Sequence, residues 1–180
     1  MPLPSRALSV RQPWAWAILH AGKDIENRSA FSIAAGGMTP GRIALHAASG
    51  MTRAEYDWAV WRMGRDGVAV PRPDALPRRA ILGAVEVTGI VSASDSPWFG
   101  GRMGLVLRDP VPCEPIPAPG ARGYFDWRPG GEIAPPLRWM RDWGQAEGGL
   151  FDDLPPAWPE PPARPFGTRP KADPPTGSCG

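Results

Sequence analysis

The chain has 180 residues and a formal net charge of +2, a length that suits one domain with a tail and a balance too small to mark a nucleic-acid-binding protein by charge alone. No apolar run reaches the roughly eighteen residues a membrane-spanning helix needs, and Met1 to Arg6 lack the apolar stretch of a secretory signal, so a cytoplasmic, membrane-free protein is expected. With two cysteines, Cys113 and Cys179, and two histidines, His20 and His46, at no ligand spacing, neither a zinc site nor another cofactor is expected.

Ala7-Leu8-Ser9-Val10 alternates and predicts a short strand. Pro13, favoured at the first helical position, opens a helix whose buried stripe is Trp14, Ala17, Ile18 and Ala21, and Gly22 ends it. Lys23 to Ser29 reads as an extended loop or the beginning of a strand, and Ser32 to Gly41 as a loop. Gly41 to Ala47 is the next strand, with Ile43, Leu45 and Ala47 on one face and Arg42, Ala44 and His46 on the other. Thr52-Arg53-Ala54-Glu55 is a capping box, and it starts a helix with Tyr56, Ala59, Val60 and Met63 as its apolar stripe. Ile81 to Ser92 is the clearest strand, with Val85, Val87 and Val91 on one face and Ala84, Glu86, Thr88 and Ile90 on the other.

Asp95 to Gly101 predicts a turn that carries Trp98 and Phe99. Met103 to Leu107 predicts a strand stopped by Asp109-Pro110, and Val111 to Pro119 an edge or an extended crossing. Gly123 to Trp127 reads as the last strand, and Pro136 to Trp143 as a short helix that docks Leu137 and Met140 on the sheet. Nine of the last thirty residues are proline, so 151–180 is expected to be a disordered tail. The whole is an α+β domain over 1–150, its core about 7–128: a small, mostly antiparallel barrel with two or three flanking helices.

Eighteen of the twenty Lys and Arg residues are Arg, which makes Lys23 an exception. An ammonium can lose its proton on burial, whereas a guanidinium effectively cannot. Lys23 follows a helix end, whose carbonyls favour the protonated form, and desolvation opposes that. Glu26 and Arg28 share a strand face, as a structural ion pair or as a pair that reads a base edge. Regular alternation puts Lys23 on the other face, so Lys23 and Glu26 meet only if the chain bends near Asp24. Glu86 reads as an inward carboxylate that needs a partner, with Lys23 or Arg11 as candidates. Arg11 and Gln12 present donors ahead of the Pro13 helix. Trp14 reads as core, and Trp98 in its turn as a stacking surface. His46, beside Arg42, and the hydroxyls of Ser9 and Thr88 show no triad by spacing.

Leu8-Ser9-Val10-Arg11-Gln12-Pro13-Trp14-Ala15 followed by Gly22-Lys23-Asp24-Ile25-Glu26-Asn27-Arg28 resembles the ASCH family, which carries a G-K-x-x-E-x-R form of signature here. Arg42 to Ala47, Gly83 to Val87 and Asp95 to Phe99 fit the same family, so the resemblance spans about 7 to 128. It implies a PUA-like barrel, related to EVE and YTH domains, and a cleft for RNA or a modified nucleobase. Arg11, Gln12, Lys23, Glu26, Arg28, His46, Glu86 and Trp98 are the candidate ligand-binding set. The family also includes amidohydrolases that deacylate N4-acetylcytidine with a Lys, a Thr three residues on and a Glu on a later strand. Lys23 and Glu86 match two of these and Glu26 stands in place of the Thr. The resemblance thus offers Lys23, Glu26 and Glu86 as catalytic residues of a hydrolase, with a nucleoside as substrate. A proline-rich ligand for a partner, using pairs such as Pro155-Pro156, is a third reading.

Overall fold

The computed structural model describes residues 2–144, so the proline-rich segment lies outside the described residues. Six strands form one mixed sheet: β1 (Arg6–Val10), β2 (Ile25–Arg28), β3 (Gly41–Ala47), β4 (Ala80–Val91), β5 (Met103–Pro117) and β6 (Tyr124–Asp126). Their order is β2-β5-β4-β3-β1-β6, and only β1 and β3 run parallel. The α+β class and the mostly antiparallel pairing are as expected. A closed barrel is not: among the described residues β2 and β6 end the sheet as two edges. A four-residue and a three-residue strand offer too little ladder to join across the open side.

Among the described residues there are four α-helices: α1 (Trp14–His20), α2 (Ala30–Ala35), α3 (Arg53–Gly64) and α4 (Arg138–Arg141). Helix α1 begins after a cis Gln12–Pro13 bond and turns off at Gly22, whose φ of +66° suits a residue without a Cβ. Ile18 and Leu19 drive it onto the sheet, where they pack with Leu8, Leu45, Val85 and Leu107. Each such side chain contributes about 1.5–3 kcal/mol when fully buried. Helix α2 falls where the sequence predicts a loop. Ser29 caps it, accepting from the Ser32 N–H at 3.0 Å, and Ile33 anchors it in the core. Helix α3 starts at the expected capping box. Ala59 and Met63 pack it on α1 through Ala17 as an outer layer. Met140 of α4 packs with Met51, Tyr56 and Leu76 around α3 instead of on the sheet, and Leu137 stays exposed.

Strand β5 is continuous where a stop at Asp109-Pro110 is predicted. Asp109 takes φ +47°, and the β4 partners jump from Val111 at Ala84 to Arg108 at Glu86, so Asp109 and Pro110 bulge out of the ladder. Strand β2 covers only Met103 to Val106, which leaves the proline-rich remainder an edge that tolerates missing N–H donors. Among the described residues no helix is long and apolar enough to cross a membrane.

Candidate functional site

A cleft of about 540 Å³ opens between α3, the beginning of α1, strand β2 and the turn at 97–100. Gly22 and the non-strand residues up to Asp24 make the bend that places Lys23 in it. The Lys23 N–H donates to the Ala17 carbonyl at 3.1 Å, and the Asp24 carbonyl accepts from Leu107 at 2.8 Å. The bend carries the buried Lys23 ammonium to 3.2 Å from Glu26 Oε2, and it also donates to the Ile25 carbonyl. Arg28 Nε stands 3.2 Å from Glu26 Oε1, at ion-pair distance but out of hydrogen-bond line. Its Nη2 donates to the Ser9 carbonyl at 2.7 Å. The floor is thus one buried carboxylate between two cations. Burial lowers the Lys23 ammonium from its usual range; Glu26 opposes this by charge and by hydrogen bond, Arg28 adds to the lowering, and Asp24 opposes it weakly.

The walls are aromatic. Trp14, Trp58, Trp61, Trp98 and Phe99 all line the cleft. Trp14 and Trp58 meet at 5.3 Å between centroids, and the Arg62 guanidinium lies 4.9 Å from the Trp98 ring centre. The turn that carries Trp98 is tied to β2: Asn27 Nδ2 donates to the Trp98 carbonyl at 2.8 Å, and the Gly100 N–H donates to Asn27 Oδ1 at 3.0 Å. Ser96 Oγ, bonded to Asp24, accepts from the Trp98 N–H at 3.1 Å. The indole N–H of Trp58 is buried without an acceptor among the described residues.

Of the residues singled out from the sequence, Arg11, Lys23, Glu26, Arg28 and Trp98 line this one cleft. Arg11 also closes on the buried Glu55 at 2.8 Å. Trp14, read as core, packs on the core but lines the cleft as well. Gln12 does not reach it: fully buried, it donates to the Pro77 carbonyl at 2.9 Å and accepts from the Trp16 N–H at 3.1 Å, so its amide is consumed in holding the turn before α1. Glu86 is not in the cleft lining either. On the face of β4 opposite Val85 and Val87, it has Arg42 of β3 and Arg108 of β5 as cross-strand neighbours in place of Lys23 or Arg11.

His46 lines a neighbouring cavity. Its Nε2 lies 3.0 Å from the Ala118 carbonyl and its Nδ1 2.8 Å from Ser9 Oγ. The carbonyl can only accept, so Nε2 carries the proton and Ser9 donates to Nδ1. This hydroxyl–imidazole couple was invisible by spacing, because the parallel pairing of β1 with β3 creates it. Burial lowers the His46 imidazole, Arg79 adds to that and the Ala118 carbonyl opposes it.

Trp58, Trp61 and Arg62 of α3, with Arg65 at its C-terminal cap, are cleft residues the sequence reading passed over. They stand at i, i+3, i+4 and i+7, which is one helical face, opposite the apolar stripe that packs inward. Among the described residues no cluster of His, Cys, Asp and Glu could hold a metal ion.

No family model matches the chain, and no curated protein matches it. Solved structures do. The chain is similar to ASCH from Zymomonas mobilis, at 18% identity over 62% of this chain and 72% of that one, with a TM-score of 0.33. It is similar also to a serine-to-alanine mutant of ZmASCH from the same organism, at 18% identity, 65% and 77% coverage and a TM-score of 0.34. Both carry the name of the family that the motifs around α1 resemble.

Proposed function

We propose that the cleft binds a nucleobase, in RNA or as a nucleoside. The observation that carries this is an aromatic-walled cleft whose floor holds a carboxylate and cations side by side. A flat heteroaromatic ring needs both parts: indole faces to stack on, and a donor–acceptor set for its edge. Glu26 suits an exocyclic amine, and Lys23 or Arg28 a ring carbonyl.

Arg11 and Arg28 are each engaged by a carboxylate, so their removal also strips Glu55 or Glu26 of its partner. Arg65, exposed at the cleft and stacked 5.4 Å from the Trp61 ring centre, is the cleaner probe. Arg65→Ala is expected to weaken binding of a fluorescein-labelled single-stranded RNA and to reduce the slope of log affinity against log salt by about 0.7, one phosphate contact. Arg11→Ala and Arg28→Ala are expected to weaken binding too. Anisotropy titrations at several salt concentrations measure both quantities. Binding indifferent to salt and to all three substitutions refutes the reading.

One observation favours a second reading, deacylation of an N4-acylated cytidine. Lys23 is buried, lowered by desolvation, and paired with Glu26. A neutral Lys23 would take a proton from water, whose oxygen adds to the acyl carbonyl. The carbon–nitrogen bond then breaks, and the freed amine leaves with that proton. Glu26 rather than Glu86 is the carboxylate placed to hold the lysine. Release of cytidine from N4-acetylcytidine, abolished in Lys23→Met, is the expected result. No turnover by the wild type leaves base binding alone.

A further inference from the structure

The cavity beside the cleft has a different character. Its volume is about 930 Å³, and Arg28, Arg79 and Arg122 line it with no Asp or Glu among its lining residues. Arg28 is partly compensated by Glu26. Arg79 and Arg122 are exposed, and among the described residues neither makes an ion pair. The Arg79 backbone is fastened on both sides, its N–H to the Ala47 carbonyl at 2.8 Å and its carbonyl to the Ala118 N–H at 3.1 Å. The place from which its side chain projects is therefore fixed. His46 adds no cation, since its one N–H is spent on Ala118.

Three glycines, Gly36, Gly120 and Gly123, are among the cavity's lining residues. Gly36 and Gly123 face each other so closely that a Cβ on Gly123 would lie 2.5 Å from the Gly36 Cα, and Gly120 leaves no room for a Cβ against His46. Ser9 and Arg28 line this cavity and the aromatic cleft alike. The two spaces therefore border on the same two strand residues.

We propose that the arginine-lined cavity is a phosphate subsite, and that the ligand is a single-stranded oligonucleotide whose base enters the cleft while its neighbouring phosphates lie on Arg28, Arg79 and Arg122. The proposal rests on the base-binding reading and narrows it. The planar guanidinium fork matches phosphate oxygens two at a time, and three of them around a wide cavity suit a chain of anions better than one small carboxylate. A free nucleoside has no group to put there.

The test uses hexauridylate, uridine and inorganic pyrophosphate with the wild type, Arg79→Ala/Arg122→Ala and Trp98→Ala. Both arginines are exposed, so the double variant keeps the core. For it, hexauridylate affinity is expected to fall about tenfold and the salt slope by about 1.4, two phosphate contacts. Quenching of tryptophan fluorescence by uridine is expected to stay unchanged. Hexauridylate binding with wild-type affinity and slope in the double variant overturns the proposal. Pyrophosphate bound by the wild type and lost in the double variant, with no hexauridylate binding by either, makes the cavity a site for a small phosphate and overturns the strand. If the double variant weakens hexauridylate and Trp98→Ala does not, the phosphate subsite stands and the base reading fails. A wild type that binds none of the three overturns both.

Discussion

Replacing Glu26 by alanine is expected to remove about 3 kcal/mol of stability at neutral pH, and part of that loss is expected to return in alkaline solution. Glu26 is the one carboxylate between Lys23 and Arg28, at 3.2 Å from each, and Lys23 is buried. Breaking such a pair strands charge in a poor solvent. The two cations respond differently. Arg28 cannot shed its proton, but it keeps its bond to the Ser9 carbonyl and is partly exposed. Lys23 can shed its proton.

Burial already lowers Lys23 in the folded protein, while the unfolded chain keeps the ordinary value near 10.5. Between the folded and unfolded values the unfolded chain binds the extra proton, so stability rises with pH across that interval. Without Glu26 the two strongest influences that hold Lys23 up are gone. The folded value drops further and the interval widens downward. The urea midpoint of Glu26→Ala is therefore expected to rise more between about pH 7 and about pH 9.5 than that of the wild type. The double variant Lys23→Met/Glu26→Gln is expected to lose less than Glu26→Ala, because it leaves no unpaired ammonium. Equal midpoints for wild type and Glu26→Ala at neutral pH would contradict the buried-pair account.

The same residues show how far a sequence carries. Where one local rule dominates, the reading transfers: the Thr52–Glu55 capping box starts α3, and Gly22 turns the chain at φ +66°. Alternation places Val85 and Val87 in the core. It fails beyond the shift between Val87 and Gly89, where Ile90 rather than Val91 packs on the core. Glu86 keeps the face opposite Val85 and Val87, but that face sets it between two strand arginines, which its own sequence neighbourhood does not reveal. Helix α2 is short and made largely of small residues, so its formation depends on the Ser29 cap and on burial of Ile33, which a linear reading does not weigh. Sheet closure is a property of edges, and the sequence does not say that β2 stops after four residues.

In the cleft, Lys23, Glu26 and Arg28 are legible because they are close together in a motif. The Trp and Arg face of α3 follows from helical spacing, but attention to the opposite, buried stripe hid it. Gln12 was legible as a donor, yet only the fold shows that Pro77 and Trp16 consume its amide.

Trp98→Ala is expected to reduce oligonucleotide affinity by roughly 5- to 150-fold, the 1–3 kcal/mol that stacking one base on an indole contributes. The turn that carries this ring is held at both its N–H and its carbonyl, by Ser96 and Asn27, so the ring is in place before a ligand arrives and little ordering entropy opposes binding. Arg62 lies against it at 4.9 Å and fixes it further. The loss should come from stacking and not from charge. The salt slope of Trp98→Ala is therefore expected to match the wild type, in contrast to Arg65→Ala. Trp98→Phe, which keeps an aromatic face, is expected to recover most of the affinity. Titration of fluorescein-labelled RNA at two salt concentrations separates these outcomes. If the phenylalanine variant binds as weakly as the alanine variant, Trp98 contributes something other than a stacking surface. If both bind like the wild type, the base lies elsewhere in the cleft, against Trp14 or Trp58, and the 97–100 turn serves only to wall it.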